Sequence, residues 1–183
     1  MGESFSFKRE LIAHIPALRA FAVSLCGKFD VADDLVQDTV LNAWAKQHSF
    51  QEETNLKAWL FTILRNLFYS RMRKRGREVQ DSDGVFSANL AVPPAQLATL
   101  DLQDFRKALA QLPEDQREAV ILVGASGMSY EEAAAICGCA VGTIKSRVNR
   151  ARNRLQELLS ITGSEAFGPD AKDAAITSRA FAV

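Results

Sequence analysis

Between Ser129 and Arg154 the chain carries two helix signals divided by a single glycine, and this stretch limits the architecture more than any other. Ser129 and Glu132 form an S-x-x-E capping box, in which hydroxyl and carboxylate each satisfy a backbone N–H at a helix start. The spacing predicts a short helix over about 130–137, stopped at Gly138, and after a four-residue turn a longer helix over about 142–159. Ala134 is small enough for the two helices to cross, Gly138 serves the turn, and Ile144 and Val148 anchor the second helix. That combination is the pattern of a helix-turn-helix. With Ile144 and Val148 buried, Lys145, Arg147, Asn149 and Arg150 point outward. Thr143 and Ser146 place hydroxyls near the helix N-terminus, where base edges are met in the major groove. Arg152 and Arg154, farther along, suit phosphates. The plain alternative is a helical hairpin with a solvated charged face. Cap, turn, anchors and an acid-free basic face all agree instead on DNA.

The rest of the chain is patterned for helices as well. Leu11, Ile15, Leu18, Ala22 and Leu25 recur at three- and four-residue steps up to Gly27. Asp30 is the expected N-cap of a second helix, with Asp33 and Asp34 in its first turn and Leu35, Val36, Thr39, Val40, Ala43 and Trp44 on its buried face. A polar stretch, 47–55, precedes a third helix over about 56–74. Its core face is Trp59, Leu60, Ile63, Leu64, Leu67 and Phe68, and Phe61 and Tyr69 fall off that face. Residues 77–100, with Ser, Asp, Gly84 and the pair Pro93-Pro94, read as a linker. Asp101 is expected to cap a helix bearing Leu102, Phe105, Leu109 and Leu112. Pro113 then opens another, with Glu114 and Asp115 in its first turn and Gly127 at its end. The fold expected is all-α: two small helical domains, 1–76 and 101–160, joined by a linker at 77–100, the C-terminal one containing the helix-turn-helix. A weakly ordered tail, 161–183, follows.

Charge adds function to this outline. Lys+Arg and Asp+Glu both number 22, so the net charge is zero. Two runs are nonetheless wholly basic: Arg65, Arg71, Arg73, Lys74, Arg75 and Arg77, and Lys145, Arg147, Arg150, Arg152 and Arg154. Two separate basic patches imply two contacts with a polyanion. On the third helix the cations stand beside Trp59, Phe61, Phe68 and Tyr69, a mixture that suits single-stranded nucleic acid because bases stack on rings while phosphates meet cations. For Trp59 a place in the core is the better reading. The second helix has the opposite sign. Asp33, Asp34 and Asp38, with Gln37 and Asn42, oppose its apolar face, which suits a protein partner.

Other classes are disfavoured. The longest apolar runs, such as 119–124, are too short for a membrane span, and 1–10 lacks the apolar core of a secretory signal. Cys26, Cys137 and Cys139 form no CxxC, and with His14 and His48 they make a poor metal set, so no metal and no cofactor is expected. Cys137 and Cys139 read as small packing residues in a reduced, cytoplasmic protein. No Gly-rich phosphate loop or Ser/His/Asp set marks an enzyme or a small-molecule substrate. With zero net charge, the isolated chain is expected to bind DNA weakly.

Four segments carry a family resemblance: DVADDLVQDTVLNAW, TNLKAWLFTILRNLFYSRMRKR, ALAQLPEDQREAVILVGASGMSYEEAAAICG and AVGTIKSRVNRARNRL. Together they resemble the extracytoplasmic-function sigma factors of bacterial RNA polymerase over roughly 7–160, and most of all the alphaproteobacterial general-stress, EcfG-like group. The resemblance implies that 1–76 is region two, which binds core RNA polymerase and recognises and melts the minus-ten element. It implies that 101–160 is region four, which reads the minus-thirty-five element. On this likeness Asp33, Asp34, Gln37, Asp38 and Leu41 would contact the polymerase clamp helices. Phe50 and the loop to Asn55, with Asn66, Tyr69, Ser70 and Arg73, would engage the minus-ten element. Lys145, Ser146, Arg147 and Arg150, beside Thr143, would read a minus-thirty-five element that is typically GGAAC. It further implies a NepR-type anti-sigma partner, relieved by a PhyR-type response regulator. A stand-alone helix-turn-helix regulator is the alternative, but it leaves the acidic and aromatic-basic helices without work. A decoy that binds only proteins would have lost basic residues, and both runs are intact.

Overall fold

The computed structural model describes residues 6–51, 54–80 and 100–159. The chain divides into two compact units, Met1–Ala91 and Val92–Val183. Among the described residues every regular element is helical, in line with the all-α expectation.

The first unit is three mutually packed helices, α1 (Phe7–Cys26), α2 (Phe29–Ala45) and α3 (Leu56–Gln80), with a 3-10 turn at Gln47–Ser49. α1 buries Leu11, Leu18, Phe21, Ala22 and Leu25, and ends at Gly27, whose φ of 69° lets its N–H reach back to the Val23 carbonyl at 2.8 Å. Only Gly27 and Lys28 separate α1 from α2, so α2 begins at Phe29 and Asp30 lies in its first turn rather than at the cap. Asp30 still meets the helix dipole there. α2 buries Ala32, Leu35, Val36, Thr39 and Ala43; the Thr39 hydroxyl donates to the Leu35 carbonyl at 2.7 Å, which makes its burial tolerable. Trp44, expected on this face, falls at the rim of the stripe and is 47% exposed.

α3 corrects two expectations. Phe61 is fully buried, stacked on Phe21 with centroids 4.9 Å apart, because the core is wide enough to take rings from both sides of the Leu60–Leu64 line. Such a pair adds about 0.5–1.5 kcal/mol beyond the area it buries. The helix also runs through Gly76 to Gln80 instead of stopping at 74. A glycine costs a helix only about 1 kcal/mol unless it adopts the left-handed conformation, and Gly76 has no positive φ. Residues 77–80 of the expected linker therefore belong to α3; 81–99 and the tail at 161–183 lie outside the described residues.

The second unit is built around its last helix, α7 (Val141–Leu159), against which α4 (Leu100–Ala110), α5 (Glu114–Val120) and α6 (Tyr130–Cys137) all pack. Asp101 lies inside α4 rather than capping it. Ala108 and Leu112 meet Ala151 and Leu155 in a cluster edged by Phe105, Leu109, Val120, Leu158 and Leu159. After α5 the backbone widens into a π-helical turn, Ile121–Ala125, closed by the Ser126 N–H on the Ile121 carbonyl at 2.8 Å. Gly127, at φ 65°, ends it as expected.

Candidate nucleic-acid interfaces

The capping box at the start of α6 is complete. Glu132 N–H donates to Ser129 Oγ at 3.1 Å, and Ser129 N–H to Glu132 Oε2 at 2.8 Å. Gly138, at φ 65° and ψ 40°, turns the chain out of α6. The Cys139 N–H then closes on the Ala134 carbonyl at 3.1 Å. α7 starts one residue earlier than expected and buries Ile144, Val148, Ala151 and Leu155 on one stripe. Lys145, Ser146, Asn149 and Arg150 are exposed on the opposite side, and Thr143 is half-buried. Ser146 Oγ donates to the Thr143 carbonyl at 2.9 Å, which leaves its lone pairs outward. Lys145 Nζ sits 5.6 Å from the centroid of the Tyr130 ring on α6.

Arg147 departs from the outward set. Its Nε is 3.0 Å from Asp115 Oδ2 on α5, its Nη1 is 3.8 Å from Cys139 Sγ, and its side chain is only 25% exposed. Asp115 and Arg147 lie on helices far apart along the chain, beyond the reach of local periodicity.

In the first unit, Asn66, Ser70 and Arg73 are exposed and Tyr69 is half-buried, all on one stripe of α3 at i, i+3, i+4 and i+7. Tyr69 packs edge-on against Phe68 at 5.1 Å, with the Arg65 guanidinium 4.6 Å above its ring. Asn55 caps α3, accepting the Ala58 N–H at 3.2 Å, a structural duty that the sequence reading missed. Phe50 is half-buried among rings: Trp59 at 5.4 Å and Phe7 at 6.0 Å, with Phe7 also 6.2 Å from Trp59 and 6.3 Å from Trp44. Trp59 thus belongs to this end cluster, which Phe7 joins from the first turn of α1.

The acidic face of α2 divides in two. Asp34, Gln37 and Leu41 are exposed, Leu41 by 59%. Asp33 accepts a two-pronged pair from Arg19 of α1, Nε to Oδ1 at 2.6 Å and Nη2 to Oδ2 at 2.9 Å. That hydrogen bonding holds the Asp33 carboxyl below its usual range. Asp38 pairs with Arg71 of α3, whose Nη2 also reaches the Asp34 carbonyl at 3.5 Å. Arg71, counted in the basic run, therefore braces α2 against α3. Burial pushes the Cys26 thiol up to about 11, which keeps it protonated.

The sigma-70 region 2 family model matches residues 11–78, and the sigma-70 region 4 model matches 102–155. The ECF RNA polymerase sigma factor EcfG of Rhodopseudomonas palustris is 62% identical over 165 residues, 90% of this chain and 91% of that protein. The chain belongs to the extracytoplasmic-function sigma factors. Among solved structures, the sigma factor RpoE of Bartonella quintana, in complex with the anti-sigma factor NepR, is 71% identical with a TM-score of 0.79. That match covers 86% of this chain and 98% of RpoE. CnrH, a sigma factor of Cupriavidus metallidurans solved with the cytosolic domain of CnrY, is 30% identical with a TM-score of 0.62, over 86% and 89% of the two chains. In this sigma factor the region 2 match falls on α1–α3 and the region 4 match on α4–α7. Both units thus have their counterpart in the family, and a stand-alone helix-turn-helix regulator is not favoured.

Proposed function

We propose that this sigma factor binds core RNA polymerase through the exposed face of α2 and opens promoters with α3 and the loop before it. In this reading α7 recognises the upstream element. Asp34, Gln37 and Leu41, with the braced Asp33 and Asp38, form the polymerase-facing surface. Phe50, Asn55, Asn66, Tyr69, Ser70 and Arg73 meet the minus-ten element. Thr143, Lys145, Ser146, Arg147 and Arg150 meet the minus-thirty-five element. The observation that carries this reading is the division of α7 into a buried stripe and an exposed basic face, with no acid before Glu157. The protein acts by binding, with no chemistry of its own, and works in the cytoplasm where polymerase and promoter are. Among the described residues no helix is long and apolar enough to cross a membrane. The relative solved with NepR supports a NepR-type anti-sigma partner, and the likeness to the EcfG-like group implies a place in the general stress response.

The test is run-off transcription with purified core polymerase on a template carrying a GGAAC upstream element. A specific transcript is expected only when the protein is added. Core binding without a transcript on any such template would favour a protein-binding decoy, and failure to bind core would overturn the proposal.

A further inference from the structure

Asp115 stands in the first turn of α5 and contributes nothing to the buried core. Its Oδ2 lies 3.0 Å from Arg147 Nε, so a carboxylate from α5 forms an ion pair with a cation on α7. Cys139, in the turn, meets the same guanidinium at Nη1. Arg147 is therefore held from two segments outside its own helix. Other cations of α7 are held differently. Arg150 is exposed, and Arg154 pairs within the helix with Glu157 at 2.8 Å. A guanidinium is a rigid plane with five donors. An anion beside Nε and a sulfur acceptor at Nη1 together restrain that plane, and the remaining N–H groups of Nη1 and Nη2 are left to face a partner. A guanine offers the two acceptors, O6 and N7, that such donors fit in the major groove.

We propose that Asp115 is a positioning residue for promoter recognition, orienting the Arg147 guanidinium so that its outer edge reads a guanine of the upstream element. The proposal rests on the reading of α7 as the recognition helix. A purely structural strut is the weaker account, because Asp115 is 49% exposed and ion pairs so open to solvent add little to stability.

The experiment compares wild type, Asp115→Asn, Asp115→Glu, Arg147→Ala and the double variant Asp115→Asn/Arg147→Ala, each full length with core polymerase. Run-off transcription is measured on the GGAAC template and on templates with each guanine replaced in turn. Asp115→Asn is expected to cut discrimination at one guanine roughly fivefold, against a larger loss for Arg147→Ala. Asp115→Glu should restore most of it, and Asp115→Asn should add nothing once Arg147 is alanine. Melting temperatures close to wild type would accompany these changes. An equal loss in the Arg147→Ala background would overturn the proposal, as would improved discrimination in Asp115→Asn, which would mark Asp115 as a competitor of DNA. If Arg147→Ala lowers discrimination and Asp115→Asn does not, the positioning role fails while the recognition helix stands. If Arg147→Ala changes nothing, both fail.

Discussion

α3 and α7 each carry a run of cations with no acid among them, yet they hold those cations differently. On α7 the cations lie along the same turns that bury Ile144, Val148, Ala151 and Leu155, and several are steadied by Asp115, Tyr130 or Glu157. On α3 all but Arg65 gather at the C-terminal end, beyond Phe68, the last buried residue of that helix among the described residues. Arg71 is tied to Asp38, whereas Arg73, Lys74, Arg75 and Arg77 are exposed. Reading a base requires a side chain held in one geometry, while meeting a phosphate requires mainly charge within reach. The two helices thus suit two kinds of contact, made from similar composition.

The largest expected effect tests whether α3 is anchored as described. Phe61→Ala should cost about 3–5 kcal/mol in urea unfolding, through the lost ring and the cavity beside Phe21. A cost below ~1 kcal/mol would return Phe61 to the surface. On α7, Lys145→Ala, which removes the cation steadied over the Tyr130 ring, should lose about 1–3 kcal/mol of discrimination at one position of the upstream element, read by transcription from singly substituted templates. Gly138→Ala should destabilise the second unit by about 1–2 kcal/mol. A new Cβ there meets nothing within 4 Å, so the whole cost is the left-handed backbone, and Gly138→Asn should be milder.

Arg73→Ala sharpens the contrast from the α3 side. It should weaken promoter binding by the polymerase complex evenly across sequences and reduce the salt slope by roughly one. A base-specific loss would erase the distinction between the two helices. The smallest effect belongs to Asp33→Asn. The Asp33 carboxyl titrates lower in the folded chain than when unfolded, so its pair with Arg19 stabilises the fold above the usual carboxylate range. That contribution disappears as pH falls through the lowered value. The stability difference between wild type and Asp33→Asn should be small at neutral pH and vanish in acid, as unfolding curves at several pH values would read.

Helices, their order and the helix-turn-helix were legible because they depend on local signals. The capping box at Ser129, the glycines at 27, 127 and 138, and the stripe from Ile144 each act within a few residues of themselves. The exposed faces of α2, α3 and α7 followed from the same periodicity. The family resemblance supplied roles for residues on those faces that periodicity alone leaves unassigned. What the tertiary structure alone decided are meetings between distant segments. Phe21 receives Phe61, Phe7 closes over Phe50 and Trp59, Arg71 turns from the basic run to Asp38, and Arg147 turns to Asp115. A helical pattern states which face a residue occupies, but partners across an interface depend on how helices cross and rotate, and that is set by packing of the whole core.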